Sequence, residues 1–115
     1  MSDSSGQTKK HVLSHQFLVA CAVYEITEID NEKAYFPSIV DKLSDIIPEE
    51  KVREGLEFMW NWRIVMRQLE YLDDTHENMR WYHYITSSDY KNIKDIYDRF
   101  YDSSSTTKIG DKEDE

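Results

Sequence analysis

Apolar residues recur at helical spacing through the first half of the chain, alternate through the next stretch, and return to helical spacing near the end. Between Ser14 and Ile29 they fall at Phe17, Cys21 and Tyr24 and at Leu18, Val23, Ile26 and Ile29. Separations of three and four predict a helix with a wide apolar face. Ser14 is its expected N-cap, and the polar run Asp30-Asn31-Glu32-Lys33 its end. Phe36-Pro37 opens a second helix, because a first turn tolerates proline, and Ile39, Val40 and Leu43 form its buried stripe. Ile46-Ile47-Pro48 is a tight apolar connection to a third helix. Pro48 is placed at the first helical position, and Glu49 and Glu50 suit the positive end of the helix dipole. Val52, Leu56 and Met59, at i, i+4 and i+7, are its buried side. Two helices joined by a short turn predict a helix-turn-helix.

From Ile64 to Leu72 the period becomes that of a strand, with Val65, Leu69 and Tyr71 on one face and Arg67 between them. Met79 to Thr86 is a second, aromatic strand, and the polar loop Asp73 to Asn78 makes the pair a hairpin. Tyr90, Ile93, Ile96, Tyr97 and Phe100 restore helical spacing, and no internal repeat is present. The predicted fold class is α+β, mostly helical: a winged helix-turn-helix with a three-helix core, a β-hairpin wing and a C-terminal helix.

Those elements resemble winged-helix transcription regulators of the MarR and PadR type, which read V-x3-L-x2-L, a glycine turn with two apolar residues, a hairpin, and R-x-Y-x-(I/L)-T before a helix. Here Val52, Leu56 and Met59 precede Ile64-Val65 and then Arg80-Trp81-Tyr82-His83-Tyr84-Ile85-Thr86. The chain is also similar to small uncharacterised archaeal winged-helix proteins. More distantly, it is similar to the N-terminal domain of archaeal transcription factor E, where a VR-x3-L helix precedes a charged wing and an aromatic strand like WYHY. The likeness spans His11 to Tyr101. One departure is Arg63, beside Trp62, where the regulators have glycine. It predicts a different turn and leaves the wing's angle open.

Length and charge narrow the function. The 115 residues leave room for one domain, expected over 11–101, between a disordered tail at 1–10 and a disordered acidic tail at 102–115. Net charge is -9, and His11 to Tyr101 alone hold ten Lys/Arg against seventeen Asp/Glu. Phosphate neutralisation needs the opposite balance, so a non-specific DNA coat or a membrane-surface binder is excluded. No signal peptide or membrane span is expected, and the lone Cys21, expected as a buried hydrophobe, fits a cytoplasmic setting.

Two functions remain. As the resemblance implies, the chain would be a sequence-specific DNA-binding transcription regulator, with Lys51, Arg53, Asn61, Arg67 and Arg80 on double-stranded DNA. The alternative is an acidic protein-interaction module that docks on a basic partner within transcription machinery. Glu54, Glu57, Trp60, Trp62 and Trp81 would be its contacts, since the third helix carries four glutamates and aromatics crowd its junction with the hairpin. Arg53 and Glu57 are expected to pair at i, i+4. A homodimer through the Tyr90–Tyr101 helix and the first helix is a further expectation. Asp73, Asp74, His76 and Glu77 match no metal-loop spacing, and no catalytic motif stands out, so no enzyme activity, metal or cofactor is expected.

Overall fold

In the computed structural model, residues 13–75 and 77–101 are described. The tails expected at 1–10 and 102–115, and His76, lie outside the described residues.

Helix α1 runs His15–Tyr24 and continues as a π-helical turn, Glu25–Ile29. The Ser14 hydroxyl accepts from the Phe17 N–H at 3.4 Å, the expected N-cap. In the widened turn Thr27 donates its hydroxyl to the Val23 carbonyl at 2.9 Å. Asn31 ends the helix at φ 57°, a left-handed conformation asparagine tolerates, and the Glu32 N–H closes on the Ile26 carbonyl at 2.9 Å. The expected single apolar face is corrected. All seven residues from Leu18 to Tyr24 are buried, so α1 is enclosed on every side. Helices pack around it and small Ala20 and Ala22 let neighbours approach. Phe17 and Ile29, counted in the stripe, are exposed at its two ends.

A two-residue strand β1, Ala34–Tyr35, leads directly into α2, Phe36–Leu43. Ile39 and Leu43 are buried and Val40 half-buried. Helix α3 spans Glu49–Asn61. Pro48 is not its first residue, as expected, but the extended cap before it. Its carbonyl accepts from Lys51 and Val52 at 3.0 and 3.2 Å. The Ile46 and Ile47 N–H groups bond back to Leu43, so the chain reaches Pro48 extended and turns helical only after it. Val52, Leu56 and Met59 face inward as expected. Gly55 joins them, because a Cβ there would lie 2.8 Å from Val19 Cγ2 and 3.1 Å from the His15 carbonyl. Glycine is what allows α1 and α3 to cross this closely.

The end of α3 corrects another expectation. Arg63 takes φ 59°, the left-handed conformation that glycine would supply. Its N–H bonds to the Trp60 carbonyl at 3.0 Å and the Ile64 N–H to the Met59 carbonyl at 2.9 Å, a Schellman closure. A side chain there costs about 1–2 kcal/mol. The guanidinium offsets part of it, donating to the Trp60 carbonyl at 2.6 Å and lying 4.3 Å from the Trp60 ring centre.

Strands β2, Val65–Tyr71, and β3, Met79–Ile85, pair antiparallel in one register from Val65–Ile85 to Tyr71–Met79. β1 pairs with the other side of β3, giving the order β1-β3-β2. Thr86 ties the hairpin to the end of α3, its N–H and hydroxyl reaching the Ile64 carbonyl at 2.9 and 2.8 Å. Helix α4, Tyr90–Ile96, continues as a second π-helical turn, Tyr97–Tyr101. Ile93, Tyr97 and Tyr101 are buried, and the Tyr97 ring lies 4.9 Å from that of Tyr24 in α1. The described residues are thus α+β and mostly helical, with four helices and a three-stranded antiparallel sheet. Helix α4 packs on α1 within the chain, and of the large apolar residues on the two helices expected to form a dimer, Phe17, Ile29 and Phe100 are exposed.

Candidate functional site

Strand parity puts Arg67, Leu69, Trp81 and His83 on one face of the hairpin, with Arg67 opposite His83 and Leu69 opposite Trp81. On α3, Arg53, Leu56, Glu57 and Trp60 fall at i, i+3, i+4 and i+7 and form one stripe. That stripe, the outer half of the hairpin and the β1–α2 junction of Tyr35, Phe36 and Pro37 line a half-open cavity of about 450 Å³. β1 covers β3 only at Tyr82 and His83, so Tyr35 and Arg80 reach the cavity around the open edge beyond.

Three arginines line it, each held against a ring. Arg67 lies 4.4 Å from the Trp60 centroid and 5.2 Å from that of Trp81. Arg80 lies 3.7 Å from Tyr35, and Arg53 4.6 Å from Phe36. Such contacts fix a guanidinium by cation–π attraction while leaving its N–H edge available. Arg53 is bonded to Glu49 at 3.0 Å and Arg80 stands 4.0 Å from Glu70. Among the described residues, no carboxylate lies within 4.0 Å of Arg67. Glu70 also accepts the Tyr35 hydroxyl at 2.7 Å and the Lys33 ammonium at 3.5 Å. The hydrogen bond from Tyr35 leads in holding its carboxyl below the usual range.

Among the described residues His83 is the one buried histidine or charged side chain, 8% exposed, and it lines the cavity. Burial first, and then the charge of Arg67, push its imidazole down to about 4. It is neutral near pH 7, and its ring makes no hydrogen bond to another described residue.

The residues singled out from the sequence therefore divide. Arg53, Arg67 and Arg80 meet here with Glu57, Trp60 and Trp81. Lys51 does not. It is half-buried near His15 and Pro48, with its ammonium 3.4 Å from Glu54. Asn61, Glu54 and Trp62 are outside the cavity, and Trp62 is 67% exposed beside Phe58. The expected Arg53–Glu57 pair is replaced by Arg53–Glu49. Glu49 precedes Arg53 by one turn, the better orientation for a helix pair, and Glu57 stands at the cavity. At the hairpin tip the Asp73 carboxylate accepts the Thr75 N–H at 3.1 Å and the Asn78 amide at 2.8 Å. It serves the turn, and among the described residues no three His, Cys, Asp or Glu are grouped to hold a metal. Tyr35, Phe36 and His83 were not among the site residues singled out from the sequence. The parity of Arg67 with Val65 and Leu69 was the available signal.

No family model, curated protein or solved structure matches this chain. Among the described residues no helix is long and apolar enough to cross a membrane.

Proposed function

We propose that this chain is a winged helix-turn-helix module that docks on a basic protein surface through the exposed side of α3. The element order and the sheet order β1-β3-β2 support the winged-helix reading. The observation that carries the docking is the surface of α3 itself. Glu49, Glu50, Glu54 and Glu57 are exposed, and its two cations are already engaged, Lys51 with Glu54 at 3.4 Å and Arg53 with Glu49 at 3.0 Å. A helix entering a groove of phosphates needs free positive charge. Phe58 and Trp62 stand exposed at the same end, 6.2 Å apart between ring centres, and aromatic anchors beside charge are what protein interfaces use.

A sequence-specific DNA-binding regulator is the second reading, favoured by the gathering of Arg53, Arg67 and Arg80 beside the wing. Titration of labelled genomic duplexes at about 50 and about 200 mM salt separates the two. Docking expects no salt-sensitive complex at micromolar protein. It also expects a photocrosslinker at Asn61, in the cells that make the chain, to give a discrete protein adduct. Trp62→Ala and the pair Glu54→Lys, Glu57→Lys should each diminish that adduct. A specific duplex complex whose affinity falls with salt, or adducts indifferent to both variants, overturns the docking.

A further inference from the structure

We propose that the cavity between α3 and the hairpin binds a free nucleoside monophosphate, its phosphate on the arginines and its planar base against the aromatic wall. The cavity shares Glu57 with the docking face, but Glu54, Phe58 and Trp62 lie outside it, so Trp62→Ala tests the docking without altering this lining.

Charge is the first argument. In a chain of net charge -9, this lining holds three arginines and one carboxylate, Glu57. Glu49 and Glu70, outside the lining, engage Arg53 and Arg80, so the charge left free for a phosphate monoester is that of Arg67. Arg67 is the free member of the set. It is held between Trp60 and Trp81 with no carboxylate within 4.0 Å among the described residues. A guanidinium stacked on rings keeps its donor fork for the oxygens of a phosphate. Glu49, Glu57 and Glu70 surround the cluster, so a longer polyphosphate would meet carboxylates, whereas a single phosphate need not.

Shape and polarity complete the assignment. About 450 Å³ is far more room than a bare oxyanion fills, and it is in the range of small-molecule sites. The walls are Tyr35, Phe36, Trp60 and Trp81, each carrying a guanidinium on its ring, and a flat heterocycle stacks on guanidinium planes as well as on rings. His83 is more than nine-tenths buried, lines this space and makes no hydrogen bond to another described residue, and its neutral ring carries one N–H donor and one acceptor nitrogen. A neutral donor–acceptor pair in an apolar wall suits the polar edge of a base.

The full chain carries its own probes. Trp60 and Trp81 line the cavity and Trp62 does not, so three indole N–H signals in a ¹⁵N correlation spectrum report ligand and control together. AMP, GMP, CMP and UMP are titrated, alongside adenosine, inorganic phosphate and a single-stranded oligonucleotide. The expected result is saturable shifts of the Trp60 and Trp81 signals with at least one monophosphate, while Trp62 stays fixed. Adenosine and inorganic phosphate should each bind at least about tenfold more weakly, since each omits one half of the recognition. Arg67→Ala should weaken the monophosphate by about tenfold or more, the cost of a charged hydrogen bond. If that variant does not fold, Arg67→Lys keeps the charge, removes the fork and should weaken binding in the same direction. Several results overturn the proposal: no saturable shift with any monophosphate at millimolar concentration, phosphate alone binding as well as the nucleotide, shifts shared by Trp62, or both Arg67 variants binding like the parent. An oligonucleotide that binds more tightly than every monophosphate overturns the assignment to a free nucleotide.

Discussion

Acidification should unlock His83 before it touches the carboxylates. The imidazole titrates near its ordinary 6.5 when the chain is unfolded and near about 4 when folded, because it is buried and faces Arg67. Between those values the unfolded chain binds a proton that the folded chain refuses. Stability is therefore complete above about pH 6.5, falls as pH drops through that value, and levels off near about pH 4. At about 1.4 kcal/mol per pH unit, the interval amounts to roughly 3 kcal/mol, a large share of what holds a domain of this size together. Glu70 acts in the same direction, since its carboxyl is lowered, but its loss begins below the usual 4.5, under most of the His83 window. Urea unfolding followed by far-ultraviolet circular dichroism at about pH 7.5, 6.5, 5.5 and 4.5 reads the slope. His83→Gln removes the titrating group while His15 and the remaining histidines stay in both proteins, so the difference in slope belongs to His83. Equal slopes for the two proteins, or a flat parent profile between about pH 6.5 and 4.5, refute the reasoning.

Other variants probe the frame. Gly55→Ala should destabilise by about 1–2 kcal/mol, because overpacking against Val19 and the His15 carbonyl outweighs the roughly 1 kcal/mol of helix propensity gained. A thermal melt that rises instead would show that the crossing of α1 and α3 has slack. Arg63→Gly should stabilise by roughly 0.5–1 kcal/mol, since relief of the left-handed strain exceeds the loss of two exposed contacts, the guanidinium's hydrogen bond to the Trp60 carbonyl and its stacking on that ring. Destabilisation beyond about 1 kcal/mol in urea would mean that the side chain matters more than the backbone. Tyr35→Phe removes the hydroxyl that Glu70 accepts at 2.7 Å. The Glu70 carboxyl should climb back toward its usual range in a ¹³C-detected titration, and an unchanged value would assign the lowering to Lys33 and Arg80 instead.

Much of the frame was legible because periodicity carries it. Val52, Leu56 and Met59 turn inward as their spacing dictates, and the change to alternation at Ile64 marks the hairpin. Strand β1 was not legible, since two residues are too few to show a period and its pairing is decided by distant His83 and Tyr82. The enclosure of α1 was read as one face because Ala20 and Ala22 add little to an apolar stripe yet sit in contact on the far sides. At Arg63, residue preference and backbone demand conflict, and the chain resolves them in favour of the turn that closes α3. The cavity was half visible. Its arginines and tryptophans could be picked out singly as solvent-facing groups. Alternation assigns a residue to a face without saying what lies opposite, so their meeting with Tyr35, Phe36 and His83 had no local signature.

The thiol of Cys21 sits in the middle of enclosed α1 with no exposed surface, and the chain has one cysteine. A reagent that tags sulfur can reach it only during those moments when the bundle comes apart around that helix, so the pace of tagging is a built-in clock for such excursions. Whatever grips the closed form slows the clock by the factor with which it shifts the opening equilibrium. A stopwatch measurement on an unaltered molecule can thus weigh a partner or a small compound.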